Sequence, residues 1–478
     1  MVTKRNVYLI LIILPVSLIL LLSAGYHDVQ QWDEARNGVN AFEMLKHKDL
    51  INYYYNNELD TWNAKPPLMI WLIALSYNIF GFNEFALRFP SALSIIIFFF
   101  FCFRIVETLV NEKIAFMTCL ILMSCKAILG VHIGLTGDFD SLLLLFLTAS
   151  VYYFVLYIEK EKRNGIIISA ILTGLAFYSK GTASIVFVPG MLLYAFLRNK
   201  GFSLLKDART WLSVLVFLMI AGSWFLLVYI FGKTPEQSFY GSTSATETMI
   251  VHDTFRRLFS PDFDTIYDYE SAFIFKAIDV RLNLWNYLFY LSLILGSLFL
   301  IRNRNKIRDC FQAEENRMLL LSFCLIVPLL ILLTVAVNSH EWYLAPTFMF
   351  IAYVIVCGVE TIRRKWKFAI LLVSMLFVFT FSRHVAYIFQ LSDKTKNAFT
   401  TNQNLKNREI IVLNSLNQDI CLYAEWSNSQ IIKITDISEL DKYKGKTILL
   451  YHNQLNNIRE GLIIPVVSFN HYCVATIR

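Results

Sequence analysis

The sequence predicts an α-helical polytopic membrane protein with about eleven crossings, further interfacial helices and a small C-terminal α/β domain. Three observations predict it. Hydrophobic residues make up 56% of the 478, and charged residues only 17%, against roughly 45–50% and 25% in soluble chains. The apolar excess is gathered into uncharged blocks such as 7–24, 211–231 and 318–337. Each is close to the roughly 20 residues that cross a hydrocarbon core. After about residue 390 the blocks stop and short strand-like runs begin.

Charge sets the expected topology. Lys4 and Arg5 place the N-terminus in the cytoplasm, and the first block is read as a retained helix, because Ala24-Gly25-Tyr26 is a poor cleavage site. Basic loops at 104–113, 160–163, 198–209, 302–308 and 363–367 should share that side. The alternation holds only if 65–81 does not cross. That segment is short, opens Lys65-Pro66-Pro67 and carries Trp71 and Tyr77, which suit an interfacial or re-entrant helix. The expected crossings are then 7–24, 88–106, 113–130, 141–159, 164–180, 182–198, 211–231, 283–301, 318–337, 342–361 and 367–386.

Two long loops, about 25–87 and 232–282, fall on the outer side, and loops of that length usually carry function. The first contains a helical stretch, Asp33 to His47, with Ala35, Val39, Phe42 and Leu45 near one face, expected to lie on the membrane surface. Residues 390–408 read as a linker. Runs 409–413, 447–451 and 462–468, with helix-length stretches between them, give an extracytoplasmic α/β domain over 390–478, beside a membrane domain over 1–389. The net charge of +7 resides between membrane segments, which argues against nucleic acid as partner. The eight cysteines lack metal-ligand spacing; Cys421 and Cys473 both fall in the C-terminal domain, and their pairing is left open.

Carboxylates beside a bilayer need a reason to be there. Asp33 and Glu34 follow the first crossing; Asp138 and Asp140 precede the fourth. Both pairs fall on the outer face. For Asp33 and Asp138 a solvated loop acid or helix cap is the plainer reading, and for Asp140 an N-cap is a rival. Cations share the face: Arg36, one turn after Asp33 and able to pair with it, Lys65, Lys180, His252, Arg256 and Arg257. Singly, each can snorkel to lipid phosphate. Together they describe a pocket of acids and phosphate-binding cations suited to an anionic, lipid-borne substrate.

These residues also carry a resemblance. Asp33-Glu34-Ala35-Arg36, Lys65-Pro66-Pro67-Leu68, Trp71-Leu72, Gly81 and Arg88-Phe89-Pro90-Ser91-Ala92 resemble, in order and spacing, the start of the bacterial aminoarabinose and protein O-mannosyl transferases. The likeness continues through Asp140, Lys180-Gly181, Pro189-Gly190, His252 to Arg257 and Trp342 to Pro346, so it covers about 30–350. That family has the GT-C fold and moves a sugar from a polyprenyl phosphate on the outer side of the membrane. The resemblance implies a glycosyltransferase of the cell envelope. Asp33 would be the general base on the acceptor, with Glu34 and Asp140 as the other catalytic acids. Lys65 and Arg257 would hold the lipid phosphate with Tyr343 beside them, and Arg36 would hold the acids in place. His252 resembles a histidine that helps bind a metal in some members. Ala64 stands where a Glu commonly precedes Lys-Pro-Pro, so a divalent metal is left open. His340-Glu341 stands where a Lys is frequent, which leaves the acceptor (lipid, glycan or protein) open.

The expected chemistry is direct displacement with inversion. The donor brings a phosphate leaving group, cations stabilise its departure and a carboxylate takes the acceptor proton. Two other classes compete: a transporter or flippase for a lipid-linked or anionic substrate, and a non-catalytic membrane scaffold. A transporter should show an internal repeat and place its charges near the bilayer midplane. This chain shows no repeat and gathers its acids at one face.

Overall fold

The computed structural model describes residues 3–60, 62–234, 247–250, 254, 273–302, 307–336, 339–365, 369–390, 394–413, 417–455, 458, 461–469 and 471–478. The first half runs α1 (Lys4–Ala24), α2 (Asp33–His47), a short hairpin β1–β2 (Tyr54–Tyr55, Glu58–Leu59), α3 (Leu68–Phe80), α4 (Glu84–Leu109), α5 (Glu112–Met123), α6 (Phe139–Lys160) and α7 (Gly165–Lys180). Asparagine side chains cap two of these helices. The Asn83 and Asn111 side chains accept from the amides of Ala86 and Ile114, satisfying donors that the first turn leaves open.

Among the described residues, eight helices are long and apolar enough to cross a membrane: Lys4–Ala24, Glu84–Leu109, Phe139–Lys160, Gly165–Ile185, Ala208–Phe231, Glu314–Val335, Glu341–Arg363 and Leu371–Phe389. They match eight of the expected crossings. The other three, 113–130, 182–198 and 283–301, hold shorter helices. α5 stops at Met123, and the chain to Asp138 is irregular yet mostly buried. Val188–Leu197 has 10 residues, and Trp285–Leu298 is the apolar part of the third. α3 has 13 residues, about 20 Å of helix at 1.5 Å per residue, short of a roughly 30 Å hydrocarbon core.

α2 has the expected bounds but not the expected surroundings. Its apolar face is not laid on a membrane surface. Ala35 and Val39 are fully buried, in one cluster with Met69, Ile70 and Ile73 of α3 and Leu422 of the C-terminal domain. At Gly38 a Cβ would stand 2.5 Å from Leu422 Cδ2, so the missing side chain lets the two helices approach.

The C-terminal sheet has five strands, β3 (Glu409–Leu413), β4 (Gln430–Ile434), β5 (Thr447–Tyr451), β6 (Ile463–Phe469) and β7 (Tyr472–Ile477), in the order β4-β3-β5-β7-β6. β3 pairs in parallel with β4 and β5; β7 runs antiparallel to β5 and β6. β4 and β7 join the three strands read from the sequence. Cys421 and Cys473 are both buried and unbridged.

Candidate active site

α2 opens at Asp33 from a constrained turn. Trp32 has φ 69° and ψ −115°, a region that strongly favours glycine, and its indole is exposed. The acid that follows Asp33 points inward. Glu34 is buried and accepts from Arg88 Nε at 2.6 Å and the other arm of the fork at 3.0 Å. It also accepts from the amides of Gly137 at 3.0 Å and Gln30 at 2.7 Å. Burial alone would raise its pKa, but the Arg88 charge prevails and holds the carboxyl below its usual range. Arg88 gives its remaining hydrogens to the carbonyls of Ala24, His27 and Asp28. Glu34 is therefore a tie within the fold, which corrects its reading as a catalytic acid. Arg36 is corrected as well. Its guanidinium forks onto Asp60 at 2.8 and 2.6 Å rather than onto the pocket acids. Tyr55 and Trp62 lie beneath it.

The irregular segment 124–138 supplies the opposite wall. His132 sits in the left-handed region, φ 68°. Its ring stacks on Trp342 at 3.9 Å, and Trp342 stacks in turn on His340 at 4.5 Å. His132 Nδ1 lies 3.5 Å from Asp138 Oδ2. Asp138 is buried, accepts from Thr136 Oγ1 at 2.6 Å and lies 3.5 Å from Asn37 Nδ2. Burial raises the Asp138 pKa, His132 opposes this and the neighbouring Asp33 charge reinforces it. Burial disfavours the charged form of His132, yet the Asp138 carboxylate prevails and raises its pKa. One ligand-type atom each from Asp33, His132 and Asp138 lies within 4.8 Å of the others.

Asp140, on the first turn of α6, receives Lys180 Nζ at 2.6 Å on both oxygens. The ammonium also lies 4.9 Å from the centre of the Tyr343 ring. Asp33 is within electrostatic reach of Lys180 as well as of His132. Lys65 stands with its ammonium 5.1 Å from the centre of the Phe139 ring, between the two aspartates in sequence. The Tyr53 hydroxyl donates to its carbonyl at 2.9 Å. Among the described residues Lys65 makes no ion pair, so its charge is open to an incoming anion. The structure thus gathers Asp33, Asp138, Asp140, Lys65, Lys180 and Tyr343 from the sequence reading, and adds His132 to them. His252 and Arg257 lie outside the described residues.

Sequence reasoning passed over His132. It is an isolated histidine in an apolar stretch, and a titratable residue at such a place is itself a signal. As ligands, Asp33, His132 and Asp138 offer the oxygen and imidazole donors that suit a divalent cation. The other metal set implied by the resemblance lacks a donor, because Ala64 is buried with only a methyl to offer.

Residues 64–226 match the family model described as dolichyl-phosphate-mannose-protein mannosyltransferase. An uncharacterized protein of Aquifex aeolicus is 23% identical over 286 residues, 59% of this chain and 53% of that one. The undecaprenyl phosphate-alpha-4-amino-4-deoxy-L-arabinose arabinosyl transferase 2 of Pseudomonas fluorescens is 29% identical over 34% of this chain and 30% of its own. The chain spans about half the length, or less, of the curated relatives it matches. ArnT from Cupriavidus metallidurans, solved bound to undecaprenyl phosphate, superposes with a TM-score of 0.72 at 12% identity, covering 98% of this chain and 97% of that one. In fold the chain is like ArnT of the GT-C class, and over part of its length its sequence is similar to aminoarabinose transferases and to the mannosyltransferase family model.

Proposed function

We propose that this protein transfers a sugar from a polyprenyl-phosphate donor to a lipid, glycan or protein acceptor on the outer side of the bacterial inner membrane, with inversion. The observation that carries this reading is the meeting of Asp33, Asp138 and Asp140 with Lys180, Lys65 and Tyr343 in one place. The similar structure with undecaprenyl phosphate supports the donor class. Lys65 and Lys180, with Tyr343, bind the donor phosphate and stabilise the charge it gains as the glycosidic bond breaks. Asp33 takes the proton of the acceptor hydroxyl as that oxygen attacks the anomeric carbon. Asp140 holds the Lys180 ammonium in place. The C-terminal domain, over 390–478, lies on the same outer side in this reading.

The test is transfer from a labelled polyprenyl-phosphate sugar in membrane vesicles. Asp33→Asn lowers the rate about 10²–10⁴-fold, the usual share of a general base, while the amount of folded protein is unchanged. Full activity in Asp33→Asn removes the base assignment. Mass spectrometry of envelope glycans from a deletion strain identifies the product. A lipid-linked intermediate accumulating inside the cell, with the transfer step intact, favours a flippase instead.

A further inference from the structure

The segment that delivers Asp33 is short, strained at Trp32 and held from two sides. One side is the membrane domain, through Arg88. The other is the C-terminal domain, some 360 residues later in sequence. Asp28 is buried, and its two carboxylate oxygens accept from the amides of Thr395 at 3.0 Å and Lys396 at 2.8 Å. It thus caps the first turn of helix Lys394–Thr401. Lys396 Nζ returns to the Gly25 carbonyl at 2.6 Å and lies 3.3 Å from Glu84. The Tyr423 hydroxyl accepts from the Val29 amide at 3.1 Å and donates to Glu84 at 3.0 Å. Glu84 is on the turn of α4 before Arg88. Arg88 binds the carbonyls of Ala24, His27 and Asp28, and its Glu34 partner also binds the Gly137 amide. Residues 24–34 are thereby fixed at both ends of a continuous chain of bonds. That chain runs from the C-terminal domain to the neighbours of Asp33 and Asp138.

We infer that the C-terminal domain is a positioning element of the active site. Through Asp28 and Tyr423 it sets the place of Asp33 relative to Asp138, and it does so without touching substrate. Asp28, Tyr423, Arg88 and Glu34 are positioning residues, because each acts on the aspartates through backbone or an intervening side chain. The inference rests on the transferase reading for its effect on rate, though not for its effect on structure. A small displacement of a reacting group is costly in rate, so the effect should fall on turnover rather than on substrate affinity.

The experiment uses the full-length protein in detergent or nanodiscs, as Asp28→Ala, Asp28→Asn and Tyr423→Phe. Asp28→Ala lowers kcat about tenfold with donor and acceptor KM unchanged. Asp28→Asn, which keeps one acceptor oxygen, recovers most of that loss, and Tyr423→Phe gives a smaller decrease of the same kind. Amide exchange over 29–36 speeds up in Asp28→Ala, read on the folded fraction alone. Two results overturn the inference. One is unchanged exchange over 29–36 in both Asp28→Ala and Tyr423→Phe. The other is a rise in acceptor KM with kcat intact, which would make the domain an acceptor-binding surface. A wild-type protein that turns over no lipid-phosphate sugar defeats the transferase reading instead, and the exchange result still decides the positioning role.

Discussion

Two clusters of charge stand at opposite ends of α6 and are balanced in opposite senses. They lie about 28 Å apart, the rise of helix between Asp140 and Glu159. At the Glu159 end, one carboxylate meets two guanidiniums. It accepts from Tyr194 Oη at 2.9 Å and Arg198 Nε at 3.1 Å, and Arg317 Nε stands 3.4 Å away. Arg198 also donates to the Gln312 carbonyl at 2.7 Å. At the other end three carboxylates, Asp33, Asp138 and Asp140, share Lys180 and His132. The first cluster ties four segments together and is closed by its own partners. In the second, burial and then the neighbouring Asp33 charge raise the Asp138 pKa, and fold stability alone gives no reason to crowd like charges there. Charge completed by the chain itself marks structure; charge left crowded marks a site that expects a reactant.

The contrast can be broken by experiment. The largest effect belongs to Lys180→Met. Without the ammonium that pairs with Asp140, the site loses a charge proposed to bind the donor phosphate and kcat/KM falls about 10²–10³-fold, measured with the labelled donor. Arg198→Ala should do the reverse. It leaves Glu159 buried beside a single guanidinium and costs about 3–5 kcal/mol in thermal or denaturant unfolding. The specific activity of the protein that stays folded is unchanged. If Arg198→Ala cut kcat as deeply as Lys180→Met, the distinction between the two ends would fail. The smallest effect lies outside the bundle. Glu425 is pushed up to about 10 by burial and by the neighbouring Glu43 carboxylate, where α2 meets helix Gln418–Trp426. Its folded pKa is raised, so its contribution to stability is complete below about pH 4.5 and shrinks as pH climbs toward 10. Glu425→Gln is neutral at every pH. It should raise the melting temperature at pH 8–9, with the gain vanishing near pH 4.5.

Much of this could be read from the chain, for identifiable reasons. α2 carries its acids in its first turn and its basic residues in its last, and its observed bounds are those of the sequence reading. α3 is short, 13 residues, in line with its Pro-Pro start. Local signals sufficed in both cases. The errors concern partners far apart in sequence. Arg36 looked toward Asp33 at helical spacing, but Asp60, 24 residues on, offers two oxygens to its fork. Glu34 looked like a twin of Asp33, but a helix turns successive residues by 100°, and that rotation delivers Glu34 to Arg88. The apolar run at 113–130 gave no warning that helix would end at Met123, because burial by neighbouring elements sustains an irregular backbone there. His132 and Trp342 meet only through that irregularity.

Trp32 bears on how this chain could change over time. A tryptophan held at φ 69° has few conformers that fit the turn, whereas glycine reaches it freely. Selection for stability alone would drift toward glycine at this position. A bulky aromatic residue there narrows the conformers of the turn at a cost in backbone strain, one residue before the acid proposed as the base.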